Sequence, residues 1–237
     1  MSSNRTLNRR DFLRSSAVVG AASAVTLAGC GQSSTPRDQQ RTPLPGVGTV
    51  DPFKHSVASG DPTSSSVILW TRVTQMDEDG QLIAGDVPVL WSVYSDPERT
   101  QRVSTGQTMA LAANDYCVKV DAQGLNPYTA YYYQFSALGF DSPVGRAQTL
   151  PDWDADTDNR LRIAVVSCSN YPHGYFHVYK EIADRNDIDL IVHLGDYIYE
   201  YGNGEYGDTR EVDPPGEMLT LDDYRRRYAQ YKSDPDL

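Results

Sequence analysis

From residue 51 to about 150, apolar side chains recur in short runs, each closed by a turn signal. Val67-Ile68-Leu69-Trp70-Thr71-Arg72-Val73 is rich in β-branched and aromatic residues and lies between Gly60-Asp61-Pro62 and Asp79-Gly80. Residues 89–94 alternate Val, Trp and Val against Leu, Ser and Tyr, then meet a turn at Asp96-Pro97. Cys117-Val118-Lys119-Val120-Asp121 alternates cleanly before Gly124-Leu125-Asn126-Pro127. Residues 130–135 carry three consecutive tyrosines, and residues 144–150 close the series. Short strands at near-regular spacing, with no helical period, predict a β-sandwich over residues 51–150.

Past an acidic linker at 152–159 the pattern changes. Leu161-Arg162-Ile163-Ala164-Val165-Val166 and Asp189-Leu190-Ile191-Val192-His193-Leu194 are nearly continuous apolar runs, as expected of buried parallel strands. Between them, apolar residues at 175, 176, 178, 179, 182 and 183 form a helical stripe. Strand, helix and strand in about 35 residues make a βαβ unit. A last helix is expected from Thr220, with Asp222 and Asp223 in its first turn and Arg225, Arg226 and Arg227 on a solvated face. The fold class is therefore multidomain: a β-domain at 51–150, then α/β structure at 160–237.

Residues 1–30 read as an address rather than as fold. Asn8-Arg9-Arg10-Asp11-Phe12-Leu13-Arg14 matches a twin-arginine export signal, with Arg9 and Arg10 as the pair the translocase reads. The apolar run at 17–28 is too short to span a bilayer and is diluted by Gly and Ser. It ends in Leu27-Ala28-Gly29-Cys30, a lipobox that would make Cys30 the lipidated first residue of a membrane-anchored protein. Cleavage after Ala22-Ser23-Ala24 would instead give a soluble product. Residues 31–50 follow as a flexible tether. The expected location is the periplasm or the cell surface. Twin-arginine export carries folded proteins, often with a cofactor loaded, which is a first hint of metal.

Composition narrows the partners. Tyr outnumbers Phe 16 to 5, which fits strands and half-wet surfaces. The formal net charge is −11, and losing the Arg-rich leader makes the remainder more acidic. Such a surface repels nucleic acid, so an anionic substrate must be attracted locally. Cys30, Cys117 and Cys168 lie in unrelated settings. A Cys117–Cys168 disulfide is the alternative to free thiols in an oxidising compartment.

The candidate chemistry sits where ligands bind in open α/β sheets, at the carboxyl ends of the strands. One run ends in Ser167-Cys168-Ser169-Asn170, the other in Gly195-Asp196-Tyr197-Ile198-Tyr199. A carboxylate at Asp196 can bridge two cations, and Gly195 lets backbone approach closely. Tyr199 can turn back to the same centre, where a trivalent metal would deprotonate the phenol. Cys168 is a soft donor that suits iron or zinc. Cys, Tyr and Asp together point to ferric iron with a harder cation beside it. His173 and His177 are spaced i, i+4 but have no third partner. His193, inside an apolar run, reads as a core histidine or one supporting a ligand, and His55 as structural.

These residues carry a resemblance. Phe53-Lys54-His55-Ser56-Val57-Ala58-Ser59-Gly60-Asp61-Pro62, followed by Val67-Ile68-Leu69-Trp70-Thr71-Arg72, resembles the opening signature of the PhoD-type alkaline phosphatases, with Ser56 in place of the usual Gly. Ser167-Cys168-Ser169-Asn170-Tyr171 and His193-Leu194-Gly195-Asp196-Tyr197-Ile198-Tyr199-Glu200-Tyr201 resemble their two metal-binding signatures. The stretch Gly124-Leu125-Asn126-Pro127-Tyr128-Thr129-Ala130-Tyr131-Tyr132-Tyr133 resembles the tyrosine-bearing corner of fibronectin type III-like domains. The resemblance implies a fibronectin-III-like β-sandwich followed by the start of a calcineurin-like metallophosphatase domain. It implies Fe3+ on Cys168 and Tyr199, with Asp196 bridging to Ca2+. It also implies hydrolysis of phosphate mono- or diesters by a metal-activated hydroxide, with a small-molecule phosphate ester as substrate. The family's remaining ligands lie downstream, so the catalytic residues are expected beyond Leu237 and the fragment is expected to be inactive alone. The rival readings are a non-catalytic surface lipoprotein that binds a partner through its sandwich, and a phospholipase or phosphodiesterase on the same scaffold.

Overall fold

Alternation becomes two packed sheets in the computed structural model, which describes residues 50–76, 83–155, 160–185 and 187–237. The export signal with Arg9 and Arg10, the lipidation site Cys30 and the tether up to residue 49 lie outside the described residues. Strands β1 (Val57–Gly60), β2 (Ser66–Arg72) and β5 (Cys117–Gln123) form one antiparallel sheet in the order β1-β2-β5. Strands β3 (Val87–Tyr94), β4 (Arg102–Ala110), β6 (Ala130–Ala137), β7 (Phe140–Asp141) and β8 (Gly145–Gln148) form the other, with β4-β3-β6 as its spine and both β7 and β8 on the far side of β6.

The inward positions build the core. Val67 and Leu69 from β2 and Val118, Val120 and Ala122 from β5 meet Val87, Val89 and Val93 from β3 and Tyr131, Tyr133 and Phe135 from β6. Burying each such side chain contributes roughly 1.5–3 kcal/mol. Tyr131 also accepts a 2.7 Å hydrogen bond from the Asn126 N–H, which fixes the turn before β6 in the manner of a tyrosine corner. Gly145 is required by a close approach, since a Cβ there would fall 2.2 Å from the ring of Tyr133.

The second region contains β9 (Ile163–Val166), helix α1 (His177–Asp184), β10 (Leu190–His193) and helix α2 (Leu221–Lys232). β9 and β10 pair in parallel, with Ile163 opposite Leu190 and Val166 opposite His193. Helix α1 begins two residues later than its apolar stripe, because Tyr175 and Phe176 belong to the turn that leads into it. The expected burial fails here. Val165 is 59% exposed, Ile191 53% and Val178 59%. Among the described residues this sheet has two strands, so one of its faces and part of the α1 stripe stay open, while Val166, Val192, Tyr179 and Ile182 are half-buried. Helix α2 starts where expected, at a capping box in which Thr220 accepts from the Asp223 N–H and the Asp223 carboxylate accepts from the Thr220 N–H.

The two regions touch through α2. Arg225 donates to the Ala113 carbonyl, and the Lys232 ammonium lies between the rings of Trp70 on β2 and Tyr197 after β10. Among the described residues no helix is long and apolar enough to cross a membrane.

Candidate metal centre

Parallel pairing brings the ends of β9 and β10 side by side, and the ladder continues past both. Leu194 donates to Val166, Cys168 to the Gly195 carbonyl at 3.1 Å, and Ser169 to the Asp196 carbonyl at 2.9 Å. The two loops are thus fastened along their length. Three residues of these loops have positive φ: Cys168 at φ 60°, Gly195 at φ 128° and Asp196 at φ 52°. For the two non-glycine residues this conformation costs on the order of 1 kcal/mol each. A Cβ on Gly195 would meet nothing within 4 Å, so the glycine serves its φ and not a steric approach.

The three side chains singled out by the sequence converge. Cys168 Sγ lies 3.5 Å and Tyr199 OH 3.1 Å from the same oxygen, Asp196 Oδ2. The hydrogen bond with the Cys168 thiol, partial desolvation and the Asp196 carboxylate all raise the Tyr199 phenol above its usual range. Those protons are the ones a bound cation would displace, so a thiolate, a carboxylate and a phenolate around one point fit a trivalent ion. Among the described residues no group of three or more His, Cys, Asp and Glu side chains is placed to hold a metal. The third donor here is a phenol. Cys168 and Asp196 are exposed, so the point of convergence opens to solvent.

The histidines separate. His193 is half-buried behind the site and bonded through both ring nitrogens. His177 pairs with Asp236 at 2.6 Å and stacks on Tyr175, away from Cys168. His173 is exposed. His55 is buried in the sandwich against Arg72 and Thr74. Cys117 and Cys168 are both free thiols.

Arg227 overturns the reading of the Arg run as a solvated face. Its side chain is buried and donates to four backbone carbonyls, those of Tyr199, Tyr201, Asp213 and Pro214. It thereby fixes the backbone that carries Tyr199. Arg226 is exposed, whereas Arg225 is half-buried and reaches the Ala113 carbonyl. The signal was available in helical spacing: Arg227 lies four residues before Tyr231, the other buried residue of α2.

Comparison with known proteins agrees with both regions. Residues 41–151 match the PhoD-like phosphatase N-terminal domain, residues 163–237 match the PhoD-like phosphatase family, and residues 6–26 match the twin-arginine translocation pathway signal sequence. Alkaline phosphatase D of Bacillus subtilis (strain 168) is 44% identical over 191 residues, covering 78% of this chain and 32% of that protein. A solved structure of PhoD superposes with a TM-score of 0.74 at 43% identity, covering 80% of this chain and 37% of that one. The chain thus spans about a third of the length of these relatives. With a β-sandwich leading into a βαβ unit, and with both halves matched, the chain belongs to the PhoD-like phosphatase family.

Proposed function

We propose that this chain carries metal-binding residues of an exported phosphatase that hydrolyses phosphate mono- or diesters outside the cytoplasm. In this reading Cys168 and Tyr199 hold ferric iron, and Asp196 is shared with calcium. The observation that carries it is the meeting of a thiol and a phenol on one oxygen of Asp196, at the open ends of two parallel strands.

When bound, the cations would supply Lewis-acid charge for the phosphoryl oxygens and lower the pKa of a water. The chain's own residues do the rest. Asp196 presents its carboxylate to solvent, where a small ester can reach it. Arg227 holds the Tyr199 backbone so that the phenol meets that carboxylate. With a formal charge of −11, the protein offers an anionic ester little general attraction, so its charge must be met within the site. Three donors fill only part of a two-cation coordination sphere, and the reading requires further ligands. After export through the twin-arginine translocase, a lipid on Cys30 would hold the mature protein at a membrane surface.

Purified protein carrying this chain should contain iron and calcium by elemental analysis and should release the phenol from an aryl phosphate monoester or diester. Asp196→Asn should lower metal content and turnover by more than the roughly 10–100-fold that changes behind a metal site cost. Full turnover in metal-free protein would end this reading. Protein that binds no metal and hydrolyses neither ester would instead favour a non-catalytic surface lipoprotein.

A further inference from the structure

Behind the three candidate donors, three further side chains meet. Ser169 Oγ lies 3.0 Å and Tyr179 OH 3.2 Å from His193 Nε2, and the two hydroxyls are in direct hydrogen-bond contact. The Tyr179 and His193 rings are parallel, with centroids 6.5 Å apart. Ser169 comes from the loop after β9, Tyr179 from α1 and His193 from the last position of β10, so each element of the βαβ unit supplies one vertex.

A serine beside a histidine invites comparison with a nucleophile and its base. The far side of the ring excludes that role. His193 Nδ1 accepts the Gly195 N–H at 3.2 Å, so the proton of the neutral ring is on Nε2. That nitrogen has no lone pair with which to take the Ser169 proton. It donates into the hydroxyl pair instead. Ser169 is moreover only 3% exposed.

The position of each vertex suggests a different task. Ser169 directly follows Cys168. The N–H held by His193 belongs to Gly195, which directly precedes Asp196. Tyr179 ties both to α1. Cys168 and Asp196 sit in left-handed backbone, which persists only where the surroundings hold it. We propose that Ser169, Tyr179 and His193 are positioning residues, a clamp that sets the spacing of Cys168 and Asp196 and so prepares the pair to receive a cation. The clamp itself is a property of the polypeptide. Its consequence for a cation rests on the metal-site reading above.

Two readouts test it. In metal-free protein, amide hydrogen exchange at Gly195 reports the clamp directly. His193→Gln keeps an amide N–H near the position of Nε2 but loses the acceptor at Nδ1, and should speed Gly195 exchange by about 10-fold or more. His193→Asn keeps an acceptor near Nδ1 and should leave that exchange close to wild type. In iron-loaded protein held against a competing chelator, Ser169→Ala, Tyr179→Phe and His193→Gln should each weaken iron retention roughly 10–100-fold. They should also shift the visible tyrosinate-to-iron band, with His193→Asn retaining more iron than His193→Gln. Tyr179→Phe keeps the ring and carries the test if His193→Gln fails to fold. Equal Gly195 exchange in the wild type and both His193 variants would overturn the clamp. So would an unchanged band and unchanged retention in Tyr179→Phe. Wild-type protein that takes up no iron would refute the metal site, while the exchange comparison would still decide the clamp.

Discussion

The sandwich and the βαβ region of this protein invest their apolar residues differently. In the sandwich, alternate positions of facing sheets close a single core in which Phe135, Val89 and Val73 have no exposed surface. In the βαβ region, Leu194 is 70% exposed and the two strands carry apolar side chains on open faces. There a small aromatic cluster around Phe176 and Tyr231 is buried, and the loops at the strand ends are held by hydrogen bonds: the zipped loops, the Ser169–Tyr179–His193 triangle and the four carbonyl partners of Arg227. The difference separates scaffold from site. Burial fixes the sandwich, whereas directional polar contacts fix the loops that carry the chemistry.

The largest expected effect probes the first half of that contrast. Phe135→Ala removes a fully buried ring that packs edge-on against Tyr133, and should destabilise the sandwich by about 3–5 kcal/mol in denaturant unfolding. The matched change Val165→Ala on β9 should cost under about 1 kcal/mol, since most of that side chain already meets water. Similar costs at the two positions would erase the contrast.

Arg227→Met should come next. It preserves much of the volume but strands buried carbonyls around the Tyr199 loop, at a cost of about 2–4 kcal/mol. The loss should appear in hydrogen exchange over residues 199–214 while the sandwich stays protected. Uniform loss of protection across both regions would show that the loop has no independent anchor.

A smaller, pH-dependent effect lies where the regions meet. Burial first, and the Arg72 guanidinium second, lower the His55 pKa to about 4 from the usual 6.5. Asp115 and the Ala229 carbonyl oppose that shift, and Lys232 adds to it. The unfolded chain therefore binds more protons than the folded one between pH 6.5 and 4. Stability is complete above that window, falls as the pH drops through it, and loses nothing further from this group below it. The loss should be roughly 3 kcal/mol. His55→Gln should flatten the stability profile over this window, as measured by denaturant midpoints. A profile as steep as wild type would assign the pH dependence elsewhere.

What could be read from the chain follows the same division. Alternation at residues 117–121 translated directly into inward and outward positions of β5, because one face of an antiparallel strand is buried and the other is wet. The tyrosine corner was legible as a resemblance of the stretch 124–133, and the structure shows that Tyr131 is the tyrosine that bonds the turn at Asn126. The convergence of Cys168, Asp196 and Tyr199 followed from their places after two adjacent strands. Apolar runs were a poor guide to burial at Val165 and Ile191, since a run specifies what a strand can bury and not whether a partner lies over it. Arg227 was missed because its charge was weighed and its helical phase was not. The contacts among Ser169, Tyr179 and His193 join residues 10 to 24 apart, which no local pattern encodes.

The metal assignment itself meets its most direct test in the visible spectrum of iron-loaded protein carrying this chain. A Tyr199 phenolate bound to ferric iron donates electron density into the metal and should give a charge-transfer band. Tyr199→Phe removes one oxygen, retains the ring, and should abolish the band along with most phosphate-ester turnover. If the band and the turnover survive the substitution unchanged, Tyr199 is not a ligand, and the reading of Cys168, Asp196 and Tyr199 as one metal centre is wrong.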